Sequence, residues 1–441
     1  MRMRMLPYVA GALALAGAAL PGAAAPAPGP APAPIVLKAA RVFTSTSERP
    51  LAPGMVIVEG DHITRVGQSL APPPGARVID LGDATLLPGF IDAHVHLDME
   101  MSDDWYRDFF QTVMRFPAEQ AHYAALYARR TLEAGFTTVR DVGSVDYVAL
   151  GLRNAINAGI AEGPRMLIAN YAISSTGGHA DQAPFPPDRV KPAGTIQGVC
   201  NGPEECREAV RYQIKYGADV IKFMPSGGVL SLSDPVDVPE LTQEEMNAVV
   251  SEAHAWHRKV AAHCHGDAAA KMAIAAGVDS IEHGSFLQDD TLRRMKEKGV
   301  YLVPTLFAGY WVGEKADRFP PAIAVKARAA AAQMQSMFQR AVRIGVKVAF
   351  GTDSAVEPHG LDAQEFALMV KNGMTPAHAL LAATASGADL LGLADQIGTL
   401  EPGKLADLVA VPGDPLQDIR QTEKVTFVMQ GGKVVKDQAG H

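Results

Sequence analysis

The chain has 441 residues and a formal net charge of −8, with 48% hydrophobic and 20% charged residues. This composition is typical of a soluble globular protein, long enough for one large and one small domain or for two to three average domains. A nucleic acid or an anionic membrane would require clustered Lys and Arg, which the chain lacks, so a small-molecule or peptide ligand is favoured as the main partner.

The N-terminal segment has the features of a secretory signal peptide, which we predict over residues 1–25. Two arginines precede an apolar run at residues 6–20, and small residues follow that run. The run has about 15 residues, fewer than the roughly 20 that a spanning helix needs, so an uncleaved membrane anchor is the less favoured alternative. Residues 26–34, rich in Pro and Ala, predict an extended linker. We therefore expect an exported protein, periplasmic or secreted, with no membrane contact after cleavage.

Both ends of the mature chain predict β-structure. Residues 35–87 contain short β-branched runs separated by turn residues, and residues 396–437 have the same pattern, with Gly431-Gly432 as a tight turn. We expect these two segments to form one small composite β-sandwich domain.

The central segment, residues 88–395, alternates short apolar runs with longer Ala-rich helical stretches. This alternation indicates parallel strands joined by crossover helices, and eight such units are typical of an α/β protein with a closed (β/α)8 TIM barrel. The alternative is an open doubly wound sheet, but the sequence has no Gly-rich phosphate turn after the first strand. The eight strand candidates are residues 87–97, 136–142, 165–171, 218–225, 259–265, 279–285, 300–306 and 347–353.

The three cysteines have different expected roles. In an oxidising compartment, Cys200 and Cys206 close a small disulfide loop, or alternatively they remain two unpaired thiols near a helix start. Cys264 is expected to point away from the metal-facing side and to pack in the barrel wall.

Function in a TIM barrel is expected at the carboxyl ends of the strands, and the first and fourth strands carry unusual residues there. Alternate side chains of a strand share a face, so His94 and His96 project together and can hold one ion. Lys222 is flanked by apolar residues, and burial lowers the pKa of a lysine. A neutral amine can react with CO2 to form a carbamate that bridges two cations. The alternative is a lysine paired with a nearby carboxylate.

Three further strands end in potential metal ligands. His263 and His265 lie at the end of the fifth strand, His283 lies in the sixth, and Asp353 ends the eighth. Each residue alone is compatible with a structural role in the core. Their occurrence at the same end of five different strands favours a binuclear metal site.

Residues 35–437 resemble the amidohydrolase superfamily. The resemblance rests on Pro88-Gly89-Phe90-Ile91-Asp92-Ala93-His94-Val95-His96, Lys222, His263, His283 and Gly351-Thr352-Asp353-Ser354. The spacings between Lys222, His263 and His283, together with Thr176-Gly177-Gly178-His179, are similar to the branch that contains Xaa-Pro dipeptidases, related carboxypeptidases of small peptides and ochratoxinase-type hydrolases.

The resemblance implies a ligand set for two divalent ions, with zinc the usual metal. By position, His94, His96 and Asp353 would bind one ion, His263 and His283 the other, and carboxylated Lys222 both. Members of this branch are often homo-oligomers, octamers included, so a homo-oligomer is expected.

The expected reaction is hydrolysis of an amide bond next to a free carboxylate, in small peptides or N-acyl amino acids, with ochratoxin-type amides as a variant. Two divalent ions would lower the pKa of a shared water, and Asp353 would accept its proton and return it to the leaving amine. His265 and His179 would donate to the substrate, or alternatively have structural roles. Competing hypotheses are a cyclic-amide hydrolase or deaminase resembling imidazolonepropionase, which needs one metal and no carbamate, and a barrel that only binds a ligand or metal.

Overall fold

The structure of the protein is a computed structural model that describes residues 33–438, except residues 103, 182–184, 187 and 233. The predicted signal peptide and most of the predicted linker lie outside the described residues. Within the described part, no helix is long and apolar enough to cross a membrane.

Strands and helices alternate through most of the chain. The strands are β1 (Ile35–Ala39), β2 (Arg41–Val42), β3 (Gly54–Glu59), β4 (His62–Gly67), β5 (Arg77–Asp80), β6 (Ala84–Pro88), β7 (Phe90–Val95), β8 (Phe136–Asp141), β9 (Arg165–Ile168), β10 (Val220–Phe223), β11 (Lys259–Cys264), β12 (Ser280–His283), β13 (Tyr301–Val303), β14 (Leu408–Pro412), β15 (Phe427–Gln430) and β16 (Lys433–Asp437). The helices are α1 (Trp105–Met114), α2 (Pro117–Glu133), α3 (Val148–Asn157), α4 (Pro203–Lys215), α5 (Gln243–Ala255), α6 (Asp267–Ala276), α7 (Asp289–Lys298), α8 (Leu306–Glu314), α9 (Pro321–Ile344), α10 (Gln364–Lys371), α11 (Pro376–Ala382) and α12 (Ala385–Leu391).

The two ends of the chain meet in one β-sheet. A five-stranded sheet has the order β16-β15-β14-β6-β2, and its β6 and β14 pair antiparallel, with Pro88 opposite Leu408. A four-stranded sheet, β4-β3-β1-β5, belongs entirely to the N-terminal segment. Leu37 and Val56 of the four-stranded sheet share one buried cluster with Leu86 and Phe427 of the five-stranded sheet. The predicted sandwich and its domain boundaries stay predictions.

The central segment has parallel strands connected by helices, so the protein is α/β. One parallel sheet has the order β7-β8-β9 and a second has the order β10-β11-β12-β13. Seven of the eight predicted strand segments contain an assigned strand. The predicted eighth, residues 347–353, contains none: Val348 forms an isolated parallel bridge with Leu302, and Ser354 forms one with Val95. The backbone of Asp353 takes a left-handed φ of 67°, which ends the extended segment at this residue.

Local sequence signals fix several element ends. Thr242 starts α5 with a capping box: its Oγ1 accepts from the backbone N–H of Glu245, whose carboxylate accepts from the backbone N–H of Thr242. A disulfide joins Cys200 and Cys206, so the alternative of two free thiols is not what the structure shows. Cys264 is buried in the main hydrophobic cluster, as predicted.

Candidate metal centre

Two histidines and a carboxylate meet where β7 ends. His94 lies in β7 and His96 follows it, and the Nε2 atom of each lies 3.3 Å from Oδ1 of Asp353. Asp92, on the same strand, supports this arrangement because its Oδ2 accepts from Thr352 Oγ1 at 2.7 Å. The structure therefore brings together the three residues expected to bind the first ion.

The second nitrogen of each of these histidines has its own acceptor. His96 Nδ1 donates to the Gly143 carbonyl at 2.7 Å, and His94 Nδ1 donates to Oε2 of Glu282 at 2.8 Å. Both Nε2 atoms are thereby oriented towards Asp353, which is the usual arrangement for metal-binding histidines. Burial opposes a charge on His96, but the hydrogen bond and negative charge of Asp353 outweigh it and raise its pKa to about 9 in the metal-free protein.

Glu282 and Arg140 form a buried ion pair that the sequence analysis did not identify. Arg140 Nη2 donates to Glu282 Oε1 at 2.8 Å, and Ser280 Oγ donates to the same oxygen at 2.5 Å. Glu282 is completely buried. Burial alone would raise the pKa of Glu282, but the Arg140 guanidinium and the His94 hydrogen bond lower it to about 2. The carboxylate therefore stays ionised and holds the His94 ring.

Three histidines from β11, β12 and the residues after β11 form a second group. His263 Nδ1 lies 3.0 Å from His283 Nε2, and His283 Nδ1 lies 2.7 Å from Thr305 Oγ1. His265 packs its ring against that of His283, with centroids 4.8 Å apart, and its Nδ1 contacts Ser285 Oγ at 2.8 Å. One ligand nitrogen from each of His263, His265 and His283 lies within 4.8 Å of the others. The structure thus brings His265 within reach of the same ion as His263 and His283, although the sequence predicted a donor role or a structural role for it.

The second group also contains an unpaired buried nitrogen. His263 Nε2 is buried and has no hydrogen-bond partner among the described residues. Burial lowers the pKa of His263 and His283 well below the usual value, so both rings are neutral at pH 7 and have a free electron pair. Neutral imidazoles, together with a carboxylate, suit zinc and related divalent ions.

Lys222 lies beside the first group, at the point where His94 adjoins His283 of the second group with ring centroids 4.9 Å apart. It is 1% exposed, and its Nζ lies 3.3 Å from His94 Nε2, its only hydrogen-bond partner within the described ranges. Burial lowers the pKa of Lys222 to about 8, although the charges of Glu282 and Asp353 oppose this shift. The alternative prediction is a lysine paired with a nearby carboxylate. Within the described part of the chain, no carboxylate forms an ion pair with Lys222.

His179 lies beside His263 on a separate loop. The two rings stack with centroids 4.3 Å apart. The backbone N–H of His179 donates to Oε2 of Glu240 at 2.9 Å, and its Nδ1 lies 2.9 Å from Ser231 Oγ. Burial lowers the pKa of His179 to about 4, despite the opposing charge of Asp234, so the ring is neutral at pH 7.

Cavities connect these groups to solvent. His179, His265 and Asp353 line a small cavity of about 60 Å³. A larger one of about 440 Å³ is lined by His96 and His179 and by aromatic side chains that stack in a row. The ring centroids are 4.9 Å apart for Trp105 and Phe109, and 5.2 Å apart for Phe109 and Phe185. Other aromatic side chains lie outside this cavity: Phe110 is 59% exposed, and Phe307 and Tyr310 line a separate cavity.

Comparisons with known proteins identify related sequences and structures. A family model described as "Amidohydrolase family" matches residues 85–435. The ochratoxinase of Aspergillus niger is 34% identical over 369 residues, which are 80% of this chain and 75% of that protein. A crystal structure described as a Xaa-Pro dipeptidase with methionine in the active site is 39% identical with a TM-score of 0.88, covering 92% of this chain and 100% of that chain. The crystal structure of Aspergillus niger ochratoxinase is 31% identical with a TM-score of 0.81, covering 92% and 96%.

Proposed function

The chain belongs to the amidohydrolase family and is a hydrolase of C–N bonds, and on this basis we propose that it uses two divalent cations to cleave an amide bond next to a free carboxylate. The observation that carries this proposal is that two ligand groups adjoin beside one buried lysine, with the ring centroids of His94 and His283 4.9 Å apart. His94, His96 and Asp353 form one group, and Lys222 lies 3.3 Å from His94.

The donor atoms fit a binuclear site. His94, His96 and Asp353 would hold one ion, and His263 and His283 would hold the other, for which the unpaired buried His263 Nε2 provides a free ligand. When bound, such ions polarise a carbonyl and lower the pKa of a shared water towards about 7. Zinc is the proposed metal because imidazole and carboxylate ligands suit it.

A carbamate on Lys222 is the proposed link between the two ions. An amine with a pKa of about 8 is neutral for roughly a tenth of the time at pH 7, and the neutral form is the one that reacts with CO2. The Lys222 position, buried and without a carboxylate partner, supports this modification. The new N–C bond would release one proton and leave a carbamate whose single negative charge is shared by two oxygens, where the lysine otherwise carries a cationic ammonium near His94.

Three residues of the chain have proposed roles in proton transfer and substrate orientation. Asp353, whose side chain is 17% exposed, borders the small cavity and would accept a proton from water and pass it to the leaving amine. His179 is neutral, and so is His265, because burial lowers its pKa to about 3. Each can therefore donate one N–H to a substrate oxygen without carrying a charge.

The larger cavity supports a substrate with an apolar group. Its stacked Trp105, Phe109 and Phe185 rings offer flat apolar surface near His96 and His179. Related proteins are named ochratoxinase and Xaa-Pro dipeptidase. We propose dipeptides and N-acyl amino acids as substrates, with ochratoxin-type amides included.

The decisive experiment is a substrate screen with zinc-loaded mature protein. Dipeptides of the X-Pro, X-Arg, X-Lys and X-Phe types and N-acyl amino acids are tested together with a lactone and a cyclic imide. We expect hydrolysis of at least one linear amide, a metal content near two per chain, and loss of activity in Asp353→Asn. Activity only on the lactone or imide, with a metal content near one, would instead support the cyclic-amide hydrolase or deaminase hypothesis.

Architecture, location and assembly complete the proposal. The bridges from Val348 and Ser354 to neighbouring strands support closure of the two parallel sheets into one (β/α)8 barrel. The Cys200–Cys206 disulfide supports export to an oxidising compartment.

We propose a homo-oligomer as well. One face of α1 leaves four apolar side chains exposed in the chain alone, namely those of Tyr106, Phe110, Val113 and Met114. Light scattering of the purified protein measures the oligomeric state.

A further inference from the structure

Lys326 makes a set of contacts that the proposed reaction does not use. It lies in α9, and its half-buried ammonium donates to the backbone carbonyls of Gly228 at 2.7 Å, Ser231 at 2.7 Å and Asp234 at 3.0 Å. An ammonium has three N–H groups, so these three short contacts occupy all of them. One side chain thus joins three points of a loop that is distant in sequence.

These carbonyls belong to the loop between β10 and α5, here called the 224–242 loop. The loop folds back on itself: Ser226 bridges Pro239, and the carboxylate of Asp234 accepts from the backbone N–H of Gly228 at 2.7 Å. Apart from that single bridge pair, its described residues contain no helix or strand. The backbone carbonyls of the loop therefore do not accept the regular hydrogen bonds of a helix or sheet. The Lys326 ammonium donates hydrogen bonds to three of them.

The same part of the loop forms the surface on which His179 rests. A Cβ atom at Gly228 would lie 2.0 Å from Cε1 of His179, so only glycine allows this approach. Ser231 Oγ contacts His179 Nδ1 at 2.9 Å, and Asp234 Oδ2 lies 3.8 Å from the same atom. All three loop residues held by Lys326 therefore lie against the His179 ring.

We propose that Lys326 is a positioning residue, which fixes the 224–242 loop so that His179 keeps its orientation beside His263. The inference rests on the proposed function, in which His179 donates to the substrate. Lys326 would also influence the shape of the larger cavity, because Leu230, Ser231 and Leu232 of the same loop line the wall of that cavity. Loss of the ammonium would leave the metal ligands in place and would displace His179, together with that wall.

The first test measures the loop without using activity. Hydrogen exchange followed by mass spectrometry compares wild type, Lys326→Met and the control Arg328→Met. Arg328 is one half-turn away on the same helix and pairs only with exposed Asp317 among the described contacts. We expect faster exchange in peptides that cover Gly228 and His179 for Lys326→Met only. Unchanged exchange in both variants would overturn the proposal.

The second test asks whether Lys326 acts through His179. In zinc-loaded protein we expect Lys326→Met to lower kcat/KM by roughly ten- to a hundred-fold, with metal content unchanged, since small displacements of an orienting group have effects of this size. In a His179→Ala background the same substitution should cause no further loss, whereas independent, multiplicative losses would contradict the inference. Lys326→Arg, which keeps a charged donor, should recover part of the activity.

The outcomes separate this inference from the proposed function. If wild type hydrolyses none of the amides, the proposed function fails, while hydrogen exchange still decides whether Lys326 orders the loop. If Lys326→Met does not fold, Lys326→Gln replaces it in both tests, because its shorter neutral amide reaches fewer carbonyls. Normal exchange and normal kcat/KM in that variant would refute the positioning role.

Discussion

The substitution Glu282→Gln tests whether the buried ion pair holds the metal centre. Glu282 is completely buried and receives hydrogen bonds from Arg140 at 2.8 Å and from His94 at 2.8 Å. A glutamine at this position has one acceptor oxygen instead of two, and its NH2 group faces one of these two donors. The Arg140 guanidinium, 2% exposed, loses its counter-charge.

The expected magnitude follows from this geometry. Breaking a buried ion pair by removing one partner costs about 3–5 kcal/mol of the free energy of unfolding. Loss of the acceptor that orients a metal-binding histidine typically lowers metal affinity by about 10- to 100-fold. We expect both effects, the first in the metal-free protein and the second at the His94 side of the site.

Urea denaturation of the metal-free protein and calorimetric zinc titration measure these two quantities. The matched control is Glu133→Gln, which weakens a pair with Arg129 in which the side chains are 43% and 61% exposed, so its cost is expected to be at most about 1 kcal/mol. The double variant Arg140→Met/Glu282→Gln should lose less than the sum of the single losses. If Glu282→Gln costs no more than Glu133→Gln and leaves zinc affinity unchanged, the reasoning is refuted.

Three other predictions concern the lysine, the buried histidines and the disulfide. Lys222→Arg keeps the charge but cannot form the carbamate, so elemental analysis should show about one metal ion or fewer per chain instead of two; an unchanged content would exclude the bridging role. The pKa of His265 is depressed to about 3, so the metal-free protein should lose up to ~4 kcal/mol of stability as the pH falls from 6.5 towards 3, because only the unfolded state binds the proton in that window. A flat denaturation midpoint across that range would contradict this. Replacing Cys200 and Cys206 by serine should lower the free energy of unfolding by about 2 kcal/mol in non-reducing urea titrations, as expected for a short loop; no loss would mean that the bond does not form in solution.

The sequence was sufficient to identify the residues that share the ends of the strands. His94 and His96 could be placed together because alternate residues of a strand point to the same side, and the same reasoning applies to His263 and His265. The period of the apolar runs likewise located the strand segments β7 to β13. It could not show that residues 347–353 form only an isolated bridge, or that the backbone turns at Asp353, because both depend on packing around the site.

Contacts between residues that are distant in the chain could not be predicted from the periodicity of the sequence. Glu282 carried a usable signal, since a carboxylate in a strand that is expected to be buried on both faces needs a buried partner, and Arg140 in another such strand carried the same signal. Their pairing depends on the neighbours that each strand finds in the fold. Lys326 carried no signal at all, because a lysine on a long Ala-rich helix is ordinarily solvent-exposed.

The pairing of β6 with β14 constrains the order in which the chain can complete its fold. Pro88 and Leu408 are more than 300 residues apart. During synthesis, one edge of β6 therefore stays unpaired until nearly the whole chain, including β14, has been made. A chain released early would retain an open hydrogen-bonding edge beside the apolar Leu86 and Leu87, which favours aggregation. Shortened products that end before β14 should therefore be selectively insoluble, so that solubility reports whether synthesis has reached this strand.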